Sequence, residues 1–437
     1  MSRLAVSWLS LTVLAASASA RADDALKQYL AGSGATGDWG GYRTKLEQAG
    51  VNLGVDYISE NAYNATGGTK HLVDYDDQWA FTGDFDLDHL LALHDAEFKL
   101  AITKRNGRNL SDDAHLGTLQ QVQEVFGRGQ TWRLTQFWYD QKYFDKFLDW
   151  KLGRLTMGED FAAFDCAFMN LTFCGSQPGN LVGNYWFNWP VSQWATRVKL
   201  NFTDQVSFQA GAYQVNPHFL DTTDAVLPII PAGTTGVMVP IELQWSPKVG
   251  PQQLGGSYKL GAWYDNSDAN DVFDDKNHDP AVLTGLSPAR RHGRYGVYVN
   301  FLQQVMRFDG DDATRGLNLF LNVTFADRRT STLDNQIAVG MTAKGVFDAR
   351  PADEIGLAVG RTHVNGNVAH GEELVNHAGP GNPADVQGAE YAVELYYGLQ
   401  ATNWFVARPN IQYISDPGGT SHNKDVWIIG LKTDLKF

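Results

Sequence analysis

No stretch beyond the first 22 residues carries 18 apolar residues in a row, so the chain cannot cross a membrane as a helix. Cysteine is nearly absent, with two in 437 residues. The seven residues between Cys166 and Cys174 fit neither a C-x-x-C redox pair nor a zinc pattern. Positive charge is short too: 35 Lys and Arg stand against 49 Asp and Glu, a balance that argues against a nucleic-acid partner. Short enzyme motifs are missing. There is no G-x-S-x-G, H-E-x-x-H or G-x-x-x-x-G-K, and the 11 His are scattered without metal-ligand spacing. No metal or cofactor is expected. A barrel hydrolase, with Ser and His on separate strands, is the enzyme class left open.

What is present begins with an address. "MSRLAVSWLSLTVLAASASARA" has a basic start at Arg3, an apolar run from Leu4 to Ala16 and a small-residue Ala20–Arg21–Ala22. That pattern predicts a signal peptide over 1–22, cut before Asp23. With Arg3 and Arg21 gone, 33 basic residues face 49 acidic ones, a net charge of −16. In an exported chain the two thiols are expected to pair, Cys166 with Cys174, closing a small ring.

The rest alternates. "VWIIGLKTDLKF" puts Trp427, Ile429, Leu431, Leu435 and Phe437 on one face, with Ile428 as an apolar exception on the other. "RGLNLFLNVTFA" and "VMVPIELQW" repeat the pattern. Alternating segments of about ten residues between turn signals are the signature of a transmembrane β-barrel. A soluble β-sandwich, the rival, calls for shorter strands and no export signal. Sixteen strands are expected, near 51–63, 78–88, 95–104, 131–143, 148–155, 195–202, 205–215, 237–246, 257–265, 293–304, 315–326, 335–345, 353–363, 388–399, 404–415 and 425–437. Odd connections then run roughly 8 to 39 residues and even ones roughly 2 to 10, the beat of long extracellular loops and short periplasmic turns. The last strand, about 33 Å long, spans the lipid band when tilted and closes on the first. Its terminal aromatic resembles the signal read by the barrel-assembly machinery. The fold class is thus an all-β antiparallel transmembrane barrel over 51–437, preceded by a 23–50 segment with a short helix. In that helix Asp38 is the cap, Leu46 the end and Gly50 the stop.

Two stretches carry a family likeness. "GDWGGYRTKLEQAG" and "CGSQPGNLVGNYWFNWPVSQWATRVKL" resemble the carbohydrate-selective porins of the OprB family. The resemblance implies a sixteen-stranded outer-membrane channel of a Gram-negative bacterium for passive diffusion of small neutral sugars. A general or differently selective porin is the alternative. Outer-membrane lipids, lipopolysaccharide and further copies of the chain are the other expected partners.

A barrel of this size holds water, so selectivity needs a constriction. The third extracellular loop, 156–194, is the longest and unusually aromatic, which suits packing inside the barrel. Trp186 and Trp189 are the rings expected to line the path. Sugars rest C–H faces on rings and offer hydroxyl pairs to Arg or carboxylate forks. Alternation places Arg197, Lys199, Glu97, Lys99 and Glu242 in the lumen. Arg133 and Arg154 are further candidates on strands with aromatics on both faces. The acidic stretch 265–279 reads as a solvated loop, since it lacks the Gly and Glu of a calcium loop.

Overall fold

The computed structural model describes residues 32, 34–223, 226, 230, 232–310, 312–379 and 385–437. The expected signal peptide and its cleavage point lie outside them. Sixteen antiparallel strands make one closed sheet. They are β1 Val51–Thr66, β2 Val73–Asp86, β3 Ala96–Gly107, β4 Trp132–Tyr143, β5 Leu148–Leu155, β6 Gln193–Asn201, β7 Val206–Val215 and β8 Gly236–Trp245, then β9 Leu254–Asp275, β10 Pro288–Arg307, β11 Gly316–Ala326, β12 Leu333–Lys344, β13 Glu354–Val364, β14 Ala389–Thr402, β15 Phe405–Ser415 and β16 Val426–Lys436. Each strand pairs with its sequence neighbours. A two-residue pair, Lys248–Val249, decorates the β8–β9 turn.

Closure falls where the terminal alternation requires it. β16 pairs with β1 from Asp56↔Lys436 to Thr66↔Trp427. Beyond the strand, the Phe437 amide donates to the Val55 carbonyl at 2.9 Å, and its ring stacks on Trp79 at 5.6 Å. Every strand edge is therefore satisfied, as an apolar solvent demands. "GDWGGYR" reinforces the same seam. The helix runs Tyr42–Gln48, and Asp38 Oδ1 accepts from both the amide and the hydroxyl of Thr44 at 2.9 Å. Arg43 lies over the Trp39 ring and donates to the Phe437 carbonyl at 2.6 Å.

Period-two patterning sets the two faces. On β8, Val237, Val239, Ile241, Leu243 and Trp245 are 40–49 % exposed, while Met238 and Glu242 between them are buried. Apolar exposure repeated strand after strand is a lipid-facing band. Aromatics mark its rims. Tyr264, Tyr295, Phe325, Tyr391 and Trp427 stand near the extracellular side, and Phe144, Phe147, Phe202 and Trp245 near the periplasmic turns.

Two expectations are corrected. The first extracellular connection is 67–72 rather than about twice that length, because β1 and β2 continue past the lipid band. The acidic stretch 265–279 is mostly strand, not loop. β9 and β10 run 22 and 20 residues and stand out beyond the barrel. There both faces meet water or protein, so the apolar row that betrays a lipid-facing strand is gone. Asp265 and Asp271 point to the buried side and pair with Arg294 and Arg291 at 2.8 and 2.5 Å.

Candidate functional site: the lumen beneath the inward loops

Much of the lumen is filled by protein. The third extracellular loop, L3 (156–192), folds inward with a short helix at each side, Met157–Asp160 and Gln177–Leu181. The second, L2 (108–131), follows it, which the sequence pattern did not reveal. Two apolar clusters glue these loops to the wall. One joins Leu110, Leu116 and Val122 of L2 and Phe168, Met169 and Phe173 of L3 to Ala338, Ala358, Ala392, Tyr396 and Ile428 of the strands. The other joins Phe161, Tyr185 and Trp186 of L3 to Tyr213, Trp263 and Tyr298. Ile428 is the apolar residue that broke the alternation of the final strand; it sits on the lumen face because a loop docks there. Small wall residues make room. A Cβ on Gly360 would lie 2.4 Å from Thr172 Cγ2, and one on Gly430 would lie 2.5 Å from Met169 Cε.

Buried wall glutamates hold the loop backbones. Glu60, Glu242, Glu390 and Glu394 are 0–2 % exposed. Glu394 accepts from the Met169 and Asn170 amides, both at 2.8 Å. Glu390 accepts from Leu119 at 2.6 Å and Gln120 at 3.3 Å, and Glu60 from Val125 at 3.1 Å. Glu242 accepts from the Ala162 amide at 2.8 Å, the Tyr298 hydroxyl at 2.8 Å and Gln209 Nε2 at 2.9 Å. A carboxylate bonded to N–H groups in a dry site makes charge-assisted bonds, about twice as strong as neutral ones. Lys432 adds the complementary clamp. Its Nζ donates to the carbonyls of Phe168 and Cys166 and pairs with Glu124 at 2.8 Å. Cys166 and Cys174 are bonded to each other, as expected. Glu124 approaches both sulfurs, but spent thiols leave a metal only one carboxylate.

Most of the charges singled out from alternation serve this frame. Arg197 is 4 % exposed and lies 3.0 Å from Asp140, 3.0 Å from Asp149 and 3.9 Å from Asp160 of L3. Lys151 joins Asp160 at 2.8 Å. Glu242 is a loop clamp. Arg133 donates to the carbonyls of Arg128, Phe219 and Leu220. Arg154 donates to the Ser192 carbonyl and lies over the Phe219 ring at 4.3 Å. Trp186 is fully buried, with its Nε1 on Ser176 Oγ at 3.1 Å and its ring 5.2 Å from that of Trp263, so it packs the loop to the wall and does not line a path. Lys99 pairs with Asp84 at 2.8 Å toward the periplasmic mouth, where Glu97 is exposed. Lys199 is half-buried on the row of Arg197.

The open part of the lumen lies along the other side. A cavity of about 1170 Å³ is bordered by β1–β3, β15, β16 and the inner edges of L2 and L3. Trp189 is the expected ring that does reach it. Its Nε1 donates to Gln78 Oε1 at 2.9 Å, and the same oxygen accepts from Arg105 Nε at 2.9 Å. Arg105 Nη1 holds the Gly127 carbonyl at 2.8 Å, and Nη2 has no protein partner among the described residues. Arg128 borders the cavity too, with Nη1 on the Gly183 carbonyl at 2.8 Å. Burial, with Arg105 alongside, pulls Arg128 down to about 10, so it is a cation at neutral pH. Glu124, Glu159 and Asp56 bring the opposite charge to the same walls. Gln136 Nε2 fixes Glu159 at 2.8 and 3.0 Å, and burial raises its carboxyl above the usual range. Sequence reading missed Arg105, Gln78 and Arg128. Arg105 sits two steps from Thr103 and six from Lys99 on one strand face, so alternation marks it as readily as Lys99.

A closed outer-membrane barrel narrowed by inward loops, with mixed charges beside one open passage, is a porin. It belongs to a particular family: residues 70–437 match the family described as "Carbohydrate-selective porin, OprB family". "GDWGGYR", at 37–43, lies outside the matched residues. The chain is 45 % identical over 413 residues to Porin B of Pseudomonas aeruginosa, covering 92 % of this chain and 90 % of the relative. It is 33 % identical to the putative porin QuiX of Acinetobacter baylyi, covering 92 % of each. The high-pH structure of Pseudomonas putida OprB superposes with a TM-score of 0.89 at 47 % identity, covering 93 % of this chain and 99 % of that one. The chain is therefore a carbohydrate-selective porin of the Gram-negative outer membrane, a channel and not an enzyme.

Proposed function

We propose that small neutral sugars of monosaccharide size pass through the cavity along β1–β3 and meet their narrowest contacts at Trp189, Gln78 and Arg105. The observation that carries this reading is the shared Gln78 oxygen, which fixes a ring and a guanidinium side by side at one edge of the open passage. A ring offers a face to sugar C–H groups, and a fork of N–H donors suits vicinal hydroxyls. Opposite charges across the walls leave no strong net field, which favours a neutral polyol over an ion. A charge-assisted hydrogen bond contributes about 1.5–3 kcal/mol, enough for about tenfold in affinity or more.

Single-channel recording in planar bilayers tests the reading. Neutral hexoses should block the ion current in a saturable way, and Arg105→Ala should weaken that block about tenfold. Equal, non-saturating passage of unrelated solutes of the same size would instead make this a general diffusion channel.

A further inference from the structure

The outward face of the barrel carries a basic cluster at its extracellular rim, on β12, β13 and the L6 turn (327–332). Alternation on β13 puts Leu357, Val359 and Arg361 on the lipid-facing row, and Val359 is 44 % exposed. In register, Arg361 lies between Ile337 of β12 and Tyr391 of β14, so its guanidinium stands at the level of the aromatic rim. Its Nη1 donates to Asn335 Oδ1 at 2.7 Å, a neutral partner. Directly above, Arg328 and His363 share the carboxylate of Asp334 at 3.2 and 2.7 Å. Arg329 pairs with Asp327 at 2.7 Å and reaches over the Tyr295 ring at 5.6 Å. Three guanidinium groups thus face outward against two carboxylates, on a chain that is strongly acidic as a whole.

A cation on the lipid face is costly at mid-membrane, and the cost falls toward zero at the interface. There it meets whatever anion the leaflet offers. We propose that this rim docks a phosphate of an outer-leaflet glycolipid, a phosphorylated lipid A. The phosphate would bridge Arg361 and Arg328, and acyl chains would lie along Val359 and Val339 below. Three features select this partner: the extracellular side, the lipid-facing row, and a net positive charge flanked by Tyr295, Phe325 and Tyr391 rather than by the water-filled lumen. Arg is suited to bidentate phosphate contact. The proposal does not depend on which solute crosses the pore.

Native mass spectrometry of the detergent-solubilised barrel reads retention directly. The probes are hexa-acylated lipid A with both phosphates, the same lipid with none, and phosphatidylglycerol. Wild type should retain the bisphosphorylated lipid about tenfold better than the other two. R328Q/R361Q should lose that preference while its hexose block in bilayers stays at the wild-type level. Equal retention of the phosphate-free lipid or of phosphatidylglycerol by wild type overturns the proposal, with no variant needed. Undiminished preference in R328Q/R361Q overturns it equally.

Discussion

Arg197 and Arg105 sit on the lumen face of the same barrel, are equally buried at 4 %, and belong to different regions. On the filled side, Arg197 meets the carboxylates of Asp140, Asp149 and Asp160 and helps to fasten L3. On the open side, Arg105 is oriented by Gln78 and the Gly127 carbonyl, both neutral, and borders the passage. A lumen charge surrounded by opposite charges is part of the frame. Arg105 also has the carboxylates of Glu124, Asp76 and Glu60 nearby, but its direct hydrogen bonds go to neutral acceptors, which leaves N–H groups for a solute.

Substitutions can break this division, beginning with the largest effect. Arg197→Ala leaves Asp140 and Asp149 without their guanidinium while Asp160 keeps Lys151, and breaking a buried ion pair from one side costs about 3–5 kcal/mol. Urea unfolding in lipid should show that loss, while barrels that do fold keep their hexose affinity within about threefold. A tenfold loss of affinity with unchanged stability would move Arg197 to the passage and erase the distinction. Arg105→Ala should behave in the opposite way: about tenfold weaker hexose block, with stability changed far less than in Arg197→Ala. If it unfolds the barrel instead, Arg105 belongs to the frame. Trp189→Ala removes a ring contact of about 0.5–1.5 kcal/mol, so the dissociation constant should rise roughly threefold. No change would leave the guanidinium working without a stacking partner. Leu321→Val alters only the lipid-facing row. It should cost about 0.8 kcal/mol or less and leave hexose block untouched, setting the baseline for the other three.

The same division explains what could be read from the sequence. The sixteen strands were legible because a lipid-facing row forces period two, and the closing strand was legible to its last residue. Faces were legible; partners were not. Alternation assigned Arg197 and Glu242 to the lumen, but not the groups that consume them, which come from neighbouring strands in Asp140, Asp149, Gln209 and Tyr298 and from L3 in Asp160 and Ala162. The β9–β10 hairpin was misread because above the membrane no apolar row exists to signal strand. One clue did mark the docked loops: Ala338, Ala392 and Ile428 stand in rows that carry Gln336 and Thr342, Glu390 and Glu394, and Lys432 and Asp434, and each lies under L2 or L3.

What the wall glutamates take from the loops is main-chain amides, not side chains. At Ala162, Met169, Asn170, Leu119, Gln120 and Val125 the clamp asks only that an N–H be present, and proline is the one residue that cannot supply it. The clamp itself is therefore indifferent to spelling at these six sites, although the side chains of Met169 and Asn170 also pack or bond to the wall. Leu119 and Gln120 also border the passage, so the lining can be respelled at those two points while the grip that holds the loop stays the same.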